Sequence, residues 1–319
     1  MKPSPSFPFT TLSIVCPIRD EADVLPAFFA RLLPTLYATG ETFEVLCIND
    51  GSQDATLSVL QGIQQQEARL HLIDFSRPFG KEAALTCGID HAKGDAVILI
   101  DADLQDPPEL IVEMVQTWRQ GFDTVLAQRV DRSTDNWFKR VTARGFYRIH
   151  NAVSDCVIPI DVGDFRLMDR RVVDALKELT ERHRFMKGLF AWVGFKHVLL
   201  PYVREARHAG RTKFPWWRLW NFALEGITSF STVPLRIWTY LGLIIALCAF
   251  AFGSFIIGRT LILGIDIPGY ASLITIVLML GGIQLIGLGV LGEYLGRVHD
   301  EVKKRPLYVI REHHPKHAT

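Results

Sequence analysis

The sequence predicts an α/β fold, a mostly parallel sheet covered by helices on both faces, followed by a pair of apolar spans. Three observations predict it. Between residues 12 and 129, short apolar runs alternate with amphipathic segments, the rhythm of repeated βα units. Several of those runs end abruptly in ionisable residues, as strands do where they open onto a cleft. Farther on, two stretches, 238–257 and 273–295, are long and apolar enough to cross a hydrocarbon layer.

Taken in order, 12–18 is a short apolar strand containing Pro17 and followed by Arg19, Asp20 and Glu21. Val24, Leu25, Phe28, Leu32 and Leu36 then recur at helical spacing. A second strand, 43–48, ends in Asn49-Asp50-Gly51-Ser52, and Asp54 is placed to cap a helix carrying Leu57, Leu60 and Ile63 on one face. The third strand is 70–75 and the third helix 80–91, opened by Gly80 and Lys81. The fourth strand, 96–100, has the length and β-branched content of a buried strand. A helix over 109–120 and a strand over 124–127 complete the series, with Gln128 and Arg129 at its end.

The fourth strand carries the densest chemistry, because it runs into Asp101-Ala102-Asp103-Leu104-Gln105. Asp101 and Asp103, two apart, reach one bound ion if the backbone turns between them, and the Gln105 amide adds a neutral oxygen. Hard oxygen ligands suit Mg²⁺ or Mn²⁺, which keep open positions for substrate phosphates. Pro107 and Pro108 stop the strand, and Asp106 is placed to cap the helix that follows. Alone, such a turn is commonly just a solvated acidic one. Four strands ending in ionisable residues outline a crevice instead. Neither G-x-x-x-x-G-K-[ST] nor G-x-G-x-x-G follows the first strand, so P-loop and dinucleotide-binding readings are unsupported. Phosphate must be held by metal and arginines.

Lys plus Arg number 35 and Asp plus Glu 34, a formal net charge of +1, which gives no support to general nucleic-acid binding. Cys16, Cys47, Cys87, Cys156 and Cys248 have no metal-ligand spacing and read as buried, reduced thiols of a cytosol-facing domain. Residues 1–10 are proline-rich and lack the apolar core of a signal peptide, so export of this domain is not expected.

Residues 135–156 interleave aromatics with cations, including Arg140 and Arg144, a pattern that suits a headgroup interface and equally a solvated helix with a core stripe. Asp161-Val162-Gly163-Asp164, two carboxylates flanking a glycine, is a second candidate site, read as a turn. A cationic loop follows with Arg204, Arg207, His208, Arg211 and Lys213, and 215–235 carries the spacing of an amphipathic helix for the membrane interface. The link between the two spans has no Lys or Arg near 266–272, while both outer flanks are basic, which places both termini in the cytosol. Gly281, Gly282, Gly287, Gly289, Gly292 and Gly296 leave one side of the second span small, suited to close helix contact. The resulting division is a globular domain at 1–214, a juxtamembrane helix at 215–235, a hairpin of spans at 236–296 and a basic cytosolic tail at 297–319.

With these segments in view, VCPIRDEADVL, INDGSQDAT, FGKEAALTCGIDHAKGD, DADLQDPPE, IDVGDFRLMDRRVVDAL, RFMKGLFAWVGF, AGRTKF and TSFSTVPLR together resemble the family 2 glycosyltransferases of GT-A fold that act on polyisoprenyl phosphates. Bacterial bactoprenol glucosyltransferases are the nearest match, and dolichol-phosphate mannose synthases share the D-x-D-x-Q core with a different GDFR region. The Q-x-x-R-W signature of processive synthases is absent.

The resemblance implies roles by matching position. Pro17, Arg19, Glu21 and Asp50 hold nucleobase and ribose, and Gly80 and Lys81 lie near the diphosphate or base. Asp101, Ala102 and Asp103 line the nucleotide sugar; Asp103 and Gln105, with Asp101, bind Mg²⁺ or Mn²⁺. Arg129 neutralises the leaving diphosphate, and Asp164, with Asp161 in reserve, is catalytic. Arg140, Arg144, Arg207, Arg211 and Lys213 are candidates for the acceptor phosphate, since Arg forks match phosphate geometry. The implied reaction is inverting transfer of glucose from UDP-glucose to undecaprenyl phosphate by a multi-pass inner-membrane protein, a homo-oligomer, tetrameric by resemblance. UDP-GlcNAc or GDP-mannose as donor, a non-catalytic membrane scaffold and a lipid flippase are the competing readings.

Overall fold

A computed structural model describes residues 11–130, 159, 161–182, 184–203, single positions between 238 and 262, and 269–314. The elements, in order, are β1 (Thr11–Ile18), α1 (Leu25–Ala38), β2 (Thr42–Asn49), α2 (Thr56–Gln66), β3 (Leu70–Phe75), α3 (Lys81–His91), β4 (Ala96–Leu99), α4 (Leu110–Arg119) and β5 (Thr124–Arg129). Then come β6 (Val162–Asp169), α5 (Arg170–Glu178), α6 (Met186–Trp192), β7 (His197–Tyr202), α7 (Tyr270–Lys303) and β8 (Ile310–His314). The sheet order is β7-β5-β6-β4-β1-β2-β3-β8. β4, β1, β2 and β3 run parallel, as does β5 with β7, so the predicted mostly parallel α/β sheet is what forms.

The strands are apolar on both sides because both faces are covered. Leu12, Ile14, Cys16 and Ile18 of β1 face α1 and α4 together with Phe28, Leu32, Ile111 and Met114. Val15, with Leu46, Ile48, Val97 and Leu99, faces α3 and α5 with Leu85, Ile89, Val172 and Leu176. Gly88 lets α3 lie close on β1, since a Cβ there would stand 2.1 Å from Val15 Cγ1. That close approach fixes the line of α3, and therefore where its first residue, Lys81, stands.

Two differences from the sequence expectation concern strands. The segment around Asp161-Val162-Gly163-Asp164, read as a turn, instead opens an antiparallel strand, β6, which starts at Val162 and is wedged between β4 and β5. Its apolar content is interrupted by Asp164 and Arg166, which hid the period. Residues 297–314, within what reads only as a basic cytosolic tail, continue α7 to Lys303, turn at Lys304 in the left-handed region (φ 48°) and add β8 antiparallel to β3. Tyr308 stacks on Phe75 at 5.2 Å and donates to Asp90 Oδ2 at 3.0 Å. Arg311 donates to the Ser76 carbonyl at 2.8 Å and lies 3.5 Å from the buried Asp74 carboxylate. The edge of β3 is thereby covered rather than left as a pairing template.

Cys16, Cys47 and Cys87 are buried and free, as expected, whereas Cys248 is exposed. Cys156, the 215–235 helix and nine of the twenty residues of the first apolar span lie outside the described residues. Among the described residues, one helix is long and apolar enough to cross a membrane: Met279–Lys303, mean hydropathy 1.3, with none of it buried. Of its glycines, Gly287 faces Trp238, at 3.5 Å from where a Cβ would stand, while Gly281, Gly282, Gly289, Gly292 and Gly296 face open space.

Gly88→Ala should therefore lower stability by about 1–3 kcal/mol through overpacking. The check is the unfolding midpoint of the purified full-length protein. An unchanged midpoint would mean that α3 does not depend on this contact.

Candidate active site

Parallel strands deliver their ends to one edge, and here that edge gathers nearly every predicted site residue among those described. β1 brings Arg19 and Glu21; β2 brings Asp50; the loop after β3 brings Gly80 and Lys81; β4 brings Asp101, Ala102 and Asp103. Arg129 is the last residue of β5, two residues farther along the strand than the sequence suggested. Because β6 runs antiparallel, its start, Asp161 to Asp164, reaches the same edge. β7 ends there with Tyr202.

At the centre, Lys81 Nζ lies 2.6 Å from Asp101 Oδ2 and 2.6 Å from Asp164 Oδ2. One ammonium thus bridges two carboxylates from different strands. Burial works against its charge, but Asp101 and Asp164 outweigh it and hold the Lys81 amine well above its ordinary range. Burial likewise opposes ionisation of Asp164, but Lys81, Lys187 and Arg166 prevail and hold its carboxyl well below the usual range. Asp101 goes the other way: burial raises it, Lys81 pulls it down, and Asp164 and Asp106 push it up again, leaving it net raised. The same lysine serves both acids, so the shortfall of positive charge falls on the one with less other support.

The surrounding loops explain why these groups stay together. Asp50, buried, accepts hydrogen bonds from Phe79 N at 2.6 Å and from Gly80 N at 3.1 Å and 3.0 Å, with Arg19 Nη1 3.9 Å away. It therefore fixes the loop that presents Lys81; a carboxylate has about four acceptor positions, so accepting from a ligand as well remains open to it. Gly80 has φ +100°, which an L side chain rarely adopts. A Cβ on Gly51, whose φ is +59°, would sit 2.6 Å from Arg77 C and Pro78 N. Glu21 helps close the loop after β1, its backbone N–H donating to Thr56 Oγ1 at 2.9 Å. Asp54 accepts from Thr56 N at 2.9 Å, at the start of α2.

After β4 the chain turns sharply. Leu104 sits at φ 58°, and Asp103 Oδ1 accepts from Gln105 N at 3.1 Å. Asp103 is 9% exposed and Ala102 buried. The chain therefore turns directly after Asp103, held by that acid's own side chain. Among the described residues, no group of three or more His, Cys, Asp or Glu converges as a ready-made metal cage. Asp101, Asp103 and the Gln105 amide supply hard oxygens, and a set so small fits a Mg²⁺ or Mn²⁺ ion that takes its remaining ligands from water and phosphate.

Arg129 is held by partners the sequence reading missed. Its Nε donates to Tyr202 Oη at 3.2 Å, its Nη2 lies 4.0 Å from Asp106 Oδ1, and Tyr202 in turn donates to Asp106. Asp106, expected as a helix cap, instead anchors this group; α4 begins at Leu110 without a side-chain cap, on backbone bonds to Pro107 and Pro108. Gly163 matters here, because a Cβ would stand 2.9 Å from Arg129 Nη2. Asp161, at φ 66°, accepts from Arg129 N through its carbonyl at 3.1 Å. Arg166 was also missed: buried, it donates to the Gly163 and Asp164 carbonyls at 2.7 Å and 3.3 Å and stacks 3.9 Å over Phe190. The order G-D-F-R, a small residue then an acid and a cation, was the available signal. Pro17 lies in the last turn of β1, paired with Ile48. Arg140, Arg144, Arg207, Arg211 and Lys213 lie outside the described residues.

Known proteins similar to this chain are glycosyltransferases. The family model "Glycosyl transferase family 2" matches residues 13–177. The chain is 54% identical, over 94% of its length and 95% of the relative's, to an uncharacterized glycosyltransferase of Synechocystis sp.. It is 50% identical to a prophage bactoprenol glucosyl transferase homolog of Escherichia coli, over 94% of this chain and 98% of that one. A bactoprenol glucosyl transferase of Shigella phage SfII is also 50% identical, over 95% and 98%.

Glu82, beside Lys81, offers a pH test. Burial and the charge of Asp164 push its carboxyl up to about 7, against Met186 N, Lys81 and Lys187. The folded protein then binds a proton there that the unfolded chain has lost. Its stabilising effect is complete below the ordinary glutamate range and disappears as pH rises through about 7. Between about pH 5 and pH 8, wild type should lose melting temperature relative to Glu82→Gln. Parallel pH profiles for the two proteins would refute the shift.

Proposed function

The chain belongs to glycosyltransferase family 2, and we propose that it transfers glucose from UDP-glucose to a polyisoprenyl phosphate such as undecaprenyl phosphate, with inversion and with a divalent cation. The observation that carries this reading is the Lys81 bridge between Asp101 and Asp164 at the carboxyl edge of the sheet, opposite a braced Arg129. Such an edge, lined by fixed charge of both signs, suits a donor with a diphosphate leaving group. The names of the bactoprenol glucosyl transferases half identical to the chain support glucose and the lipid acceptor.

Each residue's part follows from its surroundings. Arg129, oriented by Tyr202 and Asp106, presents its guanidinium to the departing diphosphate, a bidentate match in shape and charge. A cation held by Asp101, Asp103 and Gln105 supplies, when bound, further neutralisation of that leaving group. The acceptor is a phosphate monoester, already mostly ionised near neutrality because its second pKa is about 6. A strong base is therefore dispensable. Asp164 suits that economy, since a carboxyl held so low is a poor proton acceptor. Its part is to orient the sugar and to stabilise positive charge developing at the anomeric carbon while the lipid phosphate attacks from the opposite side.

The acceptor side of the reading rests on α7. Leu273, Leu285, Ile286, Leu288, Leu291 and Leu295 are all more than half exposed, a surface that suits lipid. This reading takes the two apolar stretches as spans and their basic outer flanks as cytosolic, and so sets the reaction on the inner face of the cell membrane. The arginines at 140, 144, 207 and 211 and Lys213 remain the proposed acceptor clamp, and a tetramer remains the proposed assembly by resemblance.

Radiolabelled transfer to undecaprenyl phosphate should occur from UDP-glucose in preference to UDP-GlcNAc, and activity with GDP-mannose alone would defeat the uridine assignment. Asp164→Asn should lose at least about 100-fold in turnover, the scale of one preorganised electrostatic contact, while UDP binding is retained. If UDP binding disappears as well, Asp164 is structural. Asp103→Asn should weaken turnover and raise the Mn²⁺ concentration required; a wild-type rate in that variant would remove the metal site.

A further inference from the structure

Three carboxylates crowd the head of the cleft. Lys81 stands between Asp101 and Asp164, and Asp103 adds a third carboxylate two residues on. The acids are unequally served. Lys187 and Arg166 act on Asp164 besides Lys81, whereas on Asp101 the pull of Lys81 is opposed by Asp164 and Asp106. Lys81 is also the most movable member. Its side chain is 43% exposed, against 30% for Asp101 and 18% for Asp164. Its backbone, in contrast, is fixed, because Asp50 holds the N–H groups of Phe79 and Gly80 just before it. Any change at this site is therefore a swing of the lysine side chain, not a movement of its loop.

From this geometry we infer that Lys81 is an internal counter-ion that occupies Asp101 until a divalent cation and a diphosphate arrive together, and that it then turns from Asp101 to the diphosphate. The inference rests on the metal-dependent transfer proposed above. An ammonium and a divalent cation cannot share one carboxylate edge without strong mutual repulsion. A metal entering alone must displace Lys81 and leave it without that partner, which weakens binding. With a diphosphate present, the displaced ammonium finds new anionic oxygens, and the penalty falls. Metal and nucleotide therefore favour each other's binding, by the same factor in each direction. A lysine suits the task, being a compact charge on a flexible four-carbon stem. The alternative is a permanent tie that only braces β4 against β6.

Mn²⁺ binding separates the two, measured from the signal of the free ion by electron paramagnetic resonance on purified full-length protein. The titrations use Mn²⁺ alone and Mn²⁺ with UDP, on wild type, Lys81→Met and Lys81→Gln; the glutamine variant serves if the methionine one does not fold. In wild type, UDP should tighten Mn²⁺ binding by about tenfold or more. The neutral variants should bind Mn²⁺ alone more tightly than wild type does, and the gain from UDP should shrink. Equal affinity for Mn²⁺ alone in wild type and a folded neutral variant, with the UDP gain intact in both, overturns the counter-ion role and leaves metal-dependent transfer standing. No Mn²⁺ bound by any of the proteins, even with UDP, overturns both.

Discussion

Gathering carboxylates at one edge of a sheet is costly, and the cleft is organised around that cost. Like charges repel, and burial penalises each of them further. Asp164 avoids the penalty because cations surround it from three elements: Lys81 from α3, Arg166 from its own strand and Lys187 from α6. Asp101 escapes only in part. A protein can hold such an arrangement only where the rest of the fold fixes it, and here the parallel strands do so by bringing their ends to one line. The site is thus a cluster of carboxylates unevenly matched with cations, held by the sheet and suited to a cation and a phosphate-bearing ligand.

The support for that excess lies in backbone details. Gly80 and Gly51 adopt left-handed φ values, and Gly51 also admits the 77–78 loop at a distance no side chain would allow. Gly163 leaves room for the Arg129 guanidinium, and Gly88 lets α3 settle on β1. Each of these places a charged group by removing a methyl. Asp50 completes the set by turning a carboxylate toward the loop that carries Lys81.

Much of this was legible in the sequence, and the reasons it was, and was not, are physical. β1 to β5 were readable because each is a compact apolar run with polar ends, buried on both faces. Asp101 and Asp103 were readable because acids at the end of an apolar strand are conspicuous, and Asp164 because two acids flank a glycine there. β6 was not, since Asp164 and Arg166 interrupt its pattern and its neighbours lie more than thirty residues away in the chain. Asp106 and Tyr202 were misread or missed for a related reason. Beside two prolines an aspartate resembles a helix cap, and only the return of β7 ninety-six residues later supplies the hydroxyl that claims it. β8 was obscured by charge, because Arg311, Glu312 and the histidines around them make an edge strand look like a tail.

That last strand links two parts of the molecule that sequence reading had kept apart. α7 is apolar up to Leu295 and largely exposed where its side chains are described, yet Ile310, seven residues after its end, is paired with β3. Glu301 accepts from Arg182 N at 3.0 Å, so the end of the helix also touches the segment between α5 and α6. Just past the end of β3, Arg311 reaches the Ser76 carbonyl, at the start of the loop that leads to Gly80 and Lys81. A short chain of direct contacts therefore runs from the apolar helix, through β8 and the end of β3, to the lysine between the two acids. Because the connection after Lys303 is short and both of its ends are bonded, the helix cannot shift far without straining the strand beside the cleft. The distance between the apolar helix and the charged edge is set by covalent length and edge pairing together, which is the constraint the proposed reaction between a soluble donor and a lipid acceptor requires.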